Sequence, residues 1–251
     1  MQRQKRIITA FCELSDIHDR DFETDHYARL LTNHSVQLLD FDDAGLLLAQ
    51  KDGRLTEAGA TTETVRRLQR LQLRLGDGPG IESAHTYDPV CGSDFRSESR
   101  WKPLQAAVLN AGFMAVHALP LQVSGQKIGS LSLFRRRVGP LGDRDQNLGE
   151  ALVHVATRCL LLKKSIEKCE KLNAQLQTAL NSRVVIEQAK GILAERSGNT
   201  LTSTFEAMRA FARRDRRQLR DIAKAIIDDC PSVSELMGPR PTEQRVVHRG
   251  H

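Results

Sequence analysis

Aromatic residues make up only 4% of the 251 residues, so any core must be assembled mainly from Leu, Val, Ile and Ala. Cysteine is also little used. The five residues Cys12, Cys91, Cys159, Cys169 and Cys230 are odd in number and include no CxxC pair. That excludes a disulfide framework and fits a reducing compartment better than secretion. Long apolar runs are missing. The stretch 7–12 behind Arg3, Lys5 and Arg6 stops at Glu13, too short for a signal peptide, and nothing approaches the length of a bilayer span. No nucleophile–base pattern suggests an enzyme, and no metal or cofactor set stands out. These absences predict a cytoplasmic protein with no membrane partner. What is present is ordinary globular material, 40% hydrophobic and 27% charged. The net charge of +6 permits an anionic partner without requiring one. Where the positive charge sits decides more.

The first 140 residues read as an α+β domain. Helical spacing covers 6–15 and 22–39, with apolar positions Ala28, Leu31, Val36 and Leu39 in the second. Strand-like runs at 44–50 and 54–60 flank Lys51-Asp52-Gly53, a strong hairpin signal. Helical periodicity returns over 62–75. Residues 76–99 are rich in Gly, Pro, Asp and Ser and predict a long irregular loop across one face. A helix at 102–110, with Pro103 in its first turn, precedes two strands at 113–123 and 127–134. The order suits an antiparallel sheet flanked by helices.

After Gly139-Pro140 the pattern changes. Asp143 with Gln146 resembles a capping box. Beyond it apolar residues step by four and three: Leu148, Leu152, Val155, Cys159, Leu162, Ile166, Cys169, Asn173, Leu176, Leu180. A repeat of 3.5 keeps one stripe facing a partner helix, which predicts a coiled-coil seam and a homodimer. Its first two turns suit packing on the preceding domain instead. Asn173 inside the seam is a device for fixing register in a parallel pair.

From Ser182 the helix continues to a glycine stop at Gly198. Capping boxes at Ser203/Glu206 and Asp215/Gln218 predict two more helices, with Phe205, Met208, Phe211, Leu219, Ile222, Ala223, Ile226 and Ile227 inward. The resulting small three-helix bundle is basic in a localised way: Arg209, Arg213, Arg214, Arg216, Arg217, Arg220 and Lys224 crowd its second and third helices. A guanidinium fork matches phosphate geometry, although a charge cluster alone suits a solvated face equally well.

Residues 183–196, with Gln188-Ala189-Lys190-Gly191-Ile192-Leu193 as the most specific string, resemble the opening of an ANTAR domain, a family of RNA-binding transcription antiterminators. Met208-Arg209 and Leu219-Arg220-Asp221-Ile222-Ala223 continue the likeness in register. Thr204 stands where the family usually has alanine, and Arg216 where it usually has asparagine. The N-terminal part resembles GAF domains through residues 73–82 (Leu-Arg-Leu-Gly-Asp-Gly-Pro-Gly-Ile-Glu), Arg100-Trp101-Lys102-Pro103, Pro120-Leu121 and Ile128-Gly129-Ser130-Leu131.

Together the resemblances imply a GAF-type sensor domain over 1–140 (core about 20–138), a coiled-coil linker helix over 143–181, an ANTAR bundle over 182–230 and a disordered tail over 231–251. They imply a signal-responsive antitermination regulator that binds paired RNA hairpins. Lys190, Arg196, Arg209, Arg213, Arg214, Arg216, Arg217, Arg220 and Lys224 are the expected RNA contacts, with Phe211 a candidate for base stacking and core packing its alternative. The dimer seam is Leu152, Val155, Cys159, Leu162, Ile166, Cys169, Asn173, Leu176 and Leu180. No cofactor is implied; a small molecule or protein signal of unknown identity is. Two rivals are a DNA-binding regulator, since the last two helices could pass for a helix-turn-helix, and a protein-interaction module whose basic face meets an acidic partner.

Other motifs are given structural readings. Gly76-Asp77-Gly78-Pro79-Gly80 lacks the lysine of a phosphate loop and reads as a turn. His26 and His34 share a helical face without a third ligand. Cys91 reads as a small buried residue and, less readily, as a redox-sensitive thiol. Cys159 and Cys169 could cross-link two chains only under oxidation. Arg135-Arg136-Arg137 reads as a solvated turn. Asp40, Asp42 and Asp43 are excluded as a phosphoacceptor set, because two helices lie upstream where a receiver would begin with its strand.

Overall fold

The computed structural model describes residues 2–16 and 23–237. The chain divides into two compact units, Met1–Ile166 and Glu167–His251. The boundary falls inside a single helix, so that helix contributes to both.

The first unit opens with α1 (Gln2–Ser15) and α2 (Thr24–Leu38). Strands β1 (Asp43–Ala49) and β2 (Leu55–Ala60) form the expected hairpin, with Gly53 of the connecting turn at φ 82°. Then come α3 (Glu63–Leu75), α4 (Pro79–Thr86), β3 (Val90–Gly92), α5 (Lys102–Asn110), β4 (Ala115–Val123) and β5 (Gln126–Arg135). The five strands lie in the order β2-β1-β5-β4-β3, and the paired strands are antiparallel. This is the expected α+β architecture. The stretch 76–99 departs from it: instead of an irregular loop it holds α4 and β3. Gly76 at φ 64° closes α3, and Pro79 occupies the first turn of α4, where its missing N–H costs nothing.

The pleat sorts side chains to two faces. Leu46, Leu48, Leu119, Leu121, Leu131 and Leu133 join α1 and α2 in one core. Val116, Ala118 and Phe134 join α3, α5 and the buried Phe95, Trp101 and Phe113 in the other. Both cores hold aromatics, Tyr27 and Phe41 being buried in the first. At Gly129 the backbone runs so close to β1 that a Cβ would sit 1.9 Å from the Leu47 carbonyl, which demands glycine.

The long helix α6 spans Asp143–Ser197. No capping box forms at its start, because the Gln146 side chain donates to Glu150 at 3.0 Å. Leu152, Val153, Ala156 and Leu160 are buried in the first core, and Leu148, Val155 and Cys159 pack against it. The contact with the domain thus lasts about four turns rather than two, and it removes Leu152, Val155 and Cys159 from the expected seam. Of the arginines of 135–137 expected in a solvated turn, Arg136 and Arg137 are exposed and Arg135 is not. Arg135 is buried and donates to the Asp40 carbonyl at 2.8 Å, Arg136 faces Asp42 and Asp43, and Arg137 pairs with Asp40. The acids and the arginines neutralise one another.

The second unit continues with α7 (Leu201–Arg214) and α8 (Leu219–Ile227). Two expected caps are displaced. Thr200, not Ser203, caps α7 by accepting from the Ser203 N–H. Asp215 closes α7 instead of opening α8, which starts after Gln218 without a side-chain cap. Ala189, Leu193, Met208, Phe211, Ile222, Ala223 and Ile226 form the core. The chain does not become irregular at 231: a 3-10 turn at Pro231–Val233 and α9 (Ser234–Met237) follow, and Val233 is buried in the same core. The rest of the expected tail lies outside the described residues.

Candidate functional site

The turn between α7 and α8 shows how the basic face is built. The N–H groups of Arg216 and Arg217 donate to the carbonyls of Arg213 (3.3 Å) and Ala212 (3.0 Å), a Schellman closure. It places Arg216 at φ 52°, in the left-handed region. Asparagine adopts that region more readily than arginine, which gives the asparagine usual in the family at this position a backbone explanation. Thr204, the other departure, is buried and satisfied, its hydroxyl donating to the Thr200 carbonyl at 2.8 Å.

The nine cations expected to contact RNA divide by what already holds them. Arg214 grips Glu235 with both terminal nitrogens, at 2.8 and 2.7 Å, and also bonds Asp215 at 3.0 Å. Those bonds raise the affinity of its guanidinium for its proton and hold the Glu235 carboxyl below the usual range. Arg196 bonds Asp229 at 3.0 Å across the bundle. Both are committed to tertiary structure. Lys190 sits on Glu187 at 2.9 Å. Arg220 is half-buried, with an Nε that has no hydrogen-bond partner among the described residues. Arg209, Arg213, Arg216, Arg217 and Lys224 are exposed and, among the described residues, make no ion pair. Phe211 is buried beneath Arg214 and is core, not a stacking surface.

On α6 beyond the first core the stripe is bare. Leu162, Leu172, Leu176, Leu180 and Val184 are exposed, as is Cys169. Asn173 lies among them, also exposed. Leu172 and Val184 were not counted in the expected seam but flank it.

In the first unit the region beneath α4 and against the sheet is polar. Gln72 donates to Gln69 at 2.9 Å and accepts from the Gly80 N–H at 2.9 Å, while Ser130 donates to the Gly80 carbonyl at 2.7 Å. The glycine-rich turn therefore spends its Gly80 N–H inside the protein, not on a phosphate. Gln69 Nε2 and Ser132 Oγ are buried there without a partner among the described residues. Gln69 and Gln72 are distant in sequence from Ser130 and Ser132, and the fold assembles them.

On the other face Cys91 is exposed, not buried, and its Sγ lies 3.8 Å from His117 Nε2 in a cleft lined also by Pro140, Leu141 and Gln146. The pairing of β3 with β4 brings them together, which spacing in sequence could not reveal. Nε2 donates to the Gly139 carbonyl at 3.2 Å, so the thiol faces a donor rather than a base. Burial holds the imidazole neutral, pushing its pKa down to about 4. His34 is buried and bonds Glu13 at 2.7 Å, while His26 is exposed.

Comparison with known proteins agrees with this division. Residues 174–227 match the family model of the ANTAR domain. The chain is similar to the solved GAF domain of a phosphoenolpyruvate-protein phosphotransferase from Coxiella burnetii, at 11% identity and a TM-score of 0.52, covering 65% of this chain and 98% of that one. It is also similar to the free methionine-R-sulfoxide reductase of Neisseria meningitidis, at 10% identity and a TM-score of 0.50, covering 65% and 91%. A bacteriophytochrome from R. palustris matches at 11% identity and a TM-score of 0.52 over 74% of this chain but only 41% of its own. At these identities the likeness shows the fold alone. No curated protein matches the chain. The chain thus carries a unit of GAF-like fold and a segment, 174–227, that matches the ANTAR family model. Among the described residues no helix is long and apolar enough to cross a membrane.

Proposed function

We propose that this chain is a signal-responsive transcription antitermination regulator. It binds stem-loop RNA through its ANTAR domain as a parallel homodimer, and the GAF-fold unit decides when. The observation that carries the reading is the ANTAR match over 174–227 on a bundle whose Arg209, Arg213, Arg216 and Arg217 are exposed and, among the described residues, make no ion pair. Such groups neutralise phosphates, and a hairpin loop presents unstacked bases beside them. Binding paired hairpins in a nascent transcript would keep a terminator from forming. Two bundles held together by the exposed stripe of α6 engage paired hairpins with raised effective concentration.

The signal, a small molecule or a protein, acts on the first unit. Gln69 and Ser132, unsatisfied among the described residues, offer unmet hydrogen-bonding capacity for a small polar molecule. The route outward is α6, which has Leu152 and Leu160 in the first core and Ala189 and Leu193 in the second.

Gel shifts with paired-hairpin RNA and duplex DNA of equal charge, across a salt series, test the reading. RNA preference with affinity falling as salt rises is expected. Preference for the duplex refutes it in favour of a DNA-binding regulator. Charge reversal at Arg213 and Arg217 that leaves RNA affinity untouched favours a protein-interaction module.

A further inference from the structure

One aromatic in the second unit has no role in its core. Phe205 is half-buried on α7, yet it belongs neither to the buried cluster of Met208, Phe211, Ile222 and Ile226 nor to the residues packed against it. Two cations frame it instead: Lys190 Nζ stands 5.2 Å from the ring centroid and the Arg209 guanidinium 5.7 Å. In a chain with so few aromatics, a ring left at the surface between two positive charges is a costly use of one unless something outside the chain covers it.

A second peculiarity adjoins Lys190. Gly191 lies inside α6, where glycine weakens a helix. Its backbone needs no left-handed conformation, and an added Cβ would meet nothing within 4 Å. Neither backbone geometry nor internal packing accounts for it. Close approach of an external ligand to the helix backbone does.

We propose that Phe205, framed by Lys190 and Arg209, is the platform on which one unpaired base of the bound RNA stacks, with the ligand backbone passing over Gly191. This rests on the RNA-binding reading above and adds a base-stacking subsite to the phosphate contacts. Every base has a π-face, so the platform tolerates sequence, while Arg209 takes an adjoining phosphate and Lys190, held by Glu187, lines the ring. Arg209 is able to close over the base with its own planar group.

The experiment uses the full chain and the tightest-binding member selected from a pool of stem-loop RNAs with randomised loops. Phe205→Leu, which keeps an apolar side chain on the helix, is expected to weaken binding about tenfold without changing the slope of affinity against salt. Phe205→Tyr is expected to retain affinity. Gly191→Ala is expected to weaken binding while leaving the melting temperature unchanged or higher. Ultraviolet cross-linking of the wild-type complex guards against a misfolded variant. The nucleotide adduct is expected on Phe205 within the tryptic fragment 197–209. Phe205→Leu binding within twofold of wild type, or adducts that form only elsewhere, would overturn the platform while leaving the RNA reading intact. Failure of the wild-type chain to retain any stem-loop would take both down.

Discussion

The Arg217 N–H closes onto the Ala212 carbonyl at 3.0 Å, and that closure forces Arg216 into the left-handed region at φ 52°. A non-glycine residue there costs roughly 1 kcal/mol, less for asparagine, whose short amide is suited to it. Arg216 therefore carries a conformational penalty and a free positive charge at once.

Arg216→Asn separates the two. It should raise the bundle's stability by a few tenths to about 1 kcal/mol, seen as a higher melting temperature. It should also lower RNA affinity and reduce the slope of log affinity against log salt by about one. A variant that is neither more stable nor weaker in binding contradicts both halves.

The two ends of α6 should respond to substitution in opposite ways. Leu152 is fully buried in the first core, so Leu152→Ala should cost about 2–5 kcal/mol in unfolding free energy with the dimer retained. Leu176 is 56% exposed, so Leu176→Glu should leave that core untouched and shift the chain to monomer at micromolar concentration. Sedimentation and denaturant melts read the two effects. A dimer unaffected by Leu176→Glu removes the proposed seam.

Cysteine position gives an independent check on that seam. Cys169 is exposed on the stripe, whereas Cys159 is half-buried against the first core. Mild oxidation should yield a covalent dimer that persists in Cys159→Ser and disappears in Cys169→Ser on a non-reducing gel. Cross-linking through Cys159 alone would place the pairing elsewhere.

His117 makes stability depend on pH. It is buried between Phe41, Cys91 and the Gly139 carbonyl, near Arg135, and burial followed by that guanidinium lowers its pKa to about 4 from 6.5. The unfolded chain takes up the proton first, so the stability present above pH 6.5 is lost as pH falls from 6.5 towards 4. The loss attributable to this side chain is on the order of 3 kcal/mol. Urea melts across that range should show the decline, and His117→Gln should flatten it. Identical profiles for both proteins would mean that the imidazole is not the titrating group.

The order of residues foretold the antiparallel sheet and the helices of the C-terminal bundle, because periodicity of apolar residues is a local property. It misplaced the caps of α7 and α8, since Thr200 and Ser203 carry equivalent hydroxyls only three residues apart. It also took 76–99 for a loop, because glycine and proline that open a short helix look the same as those that prevent one.

The chain's own order was enough to settle fold class, the 3.5-residue stripe and the concentration of arginine on the last two helices, all of which depend on neighbours within a few turns. Three-dimensional packing alone decided which members of each set are free. Leu152 was claimed by one core while Leu176 was left bare; Arg214 was bound by Glu235 while Arg213 was not; Cys91 was brought to His117, and Phe205 was left outside the core it was expected to join. A side chain's availability depends on what distant segments place beside it, and only the folded chain supplies those neighbours.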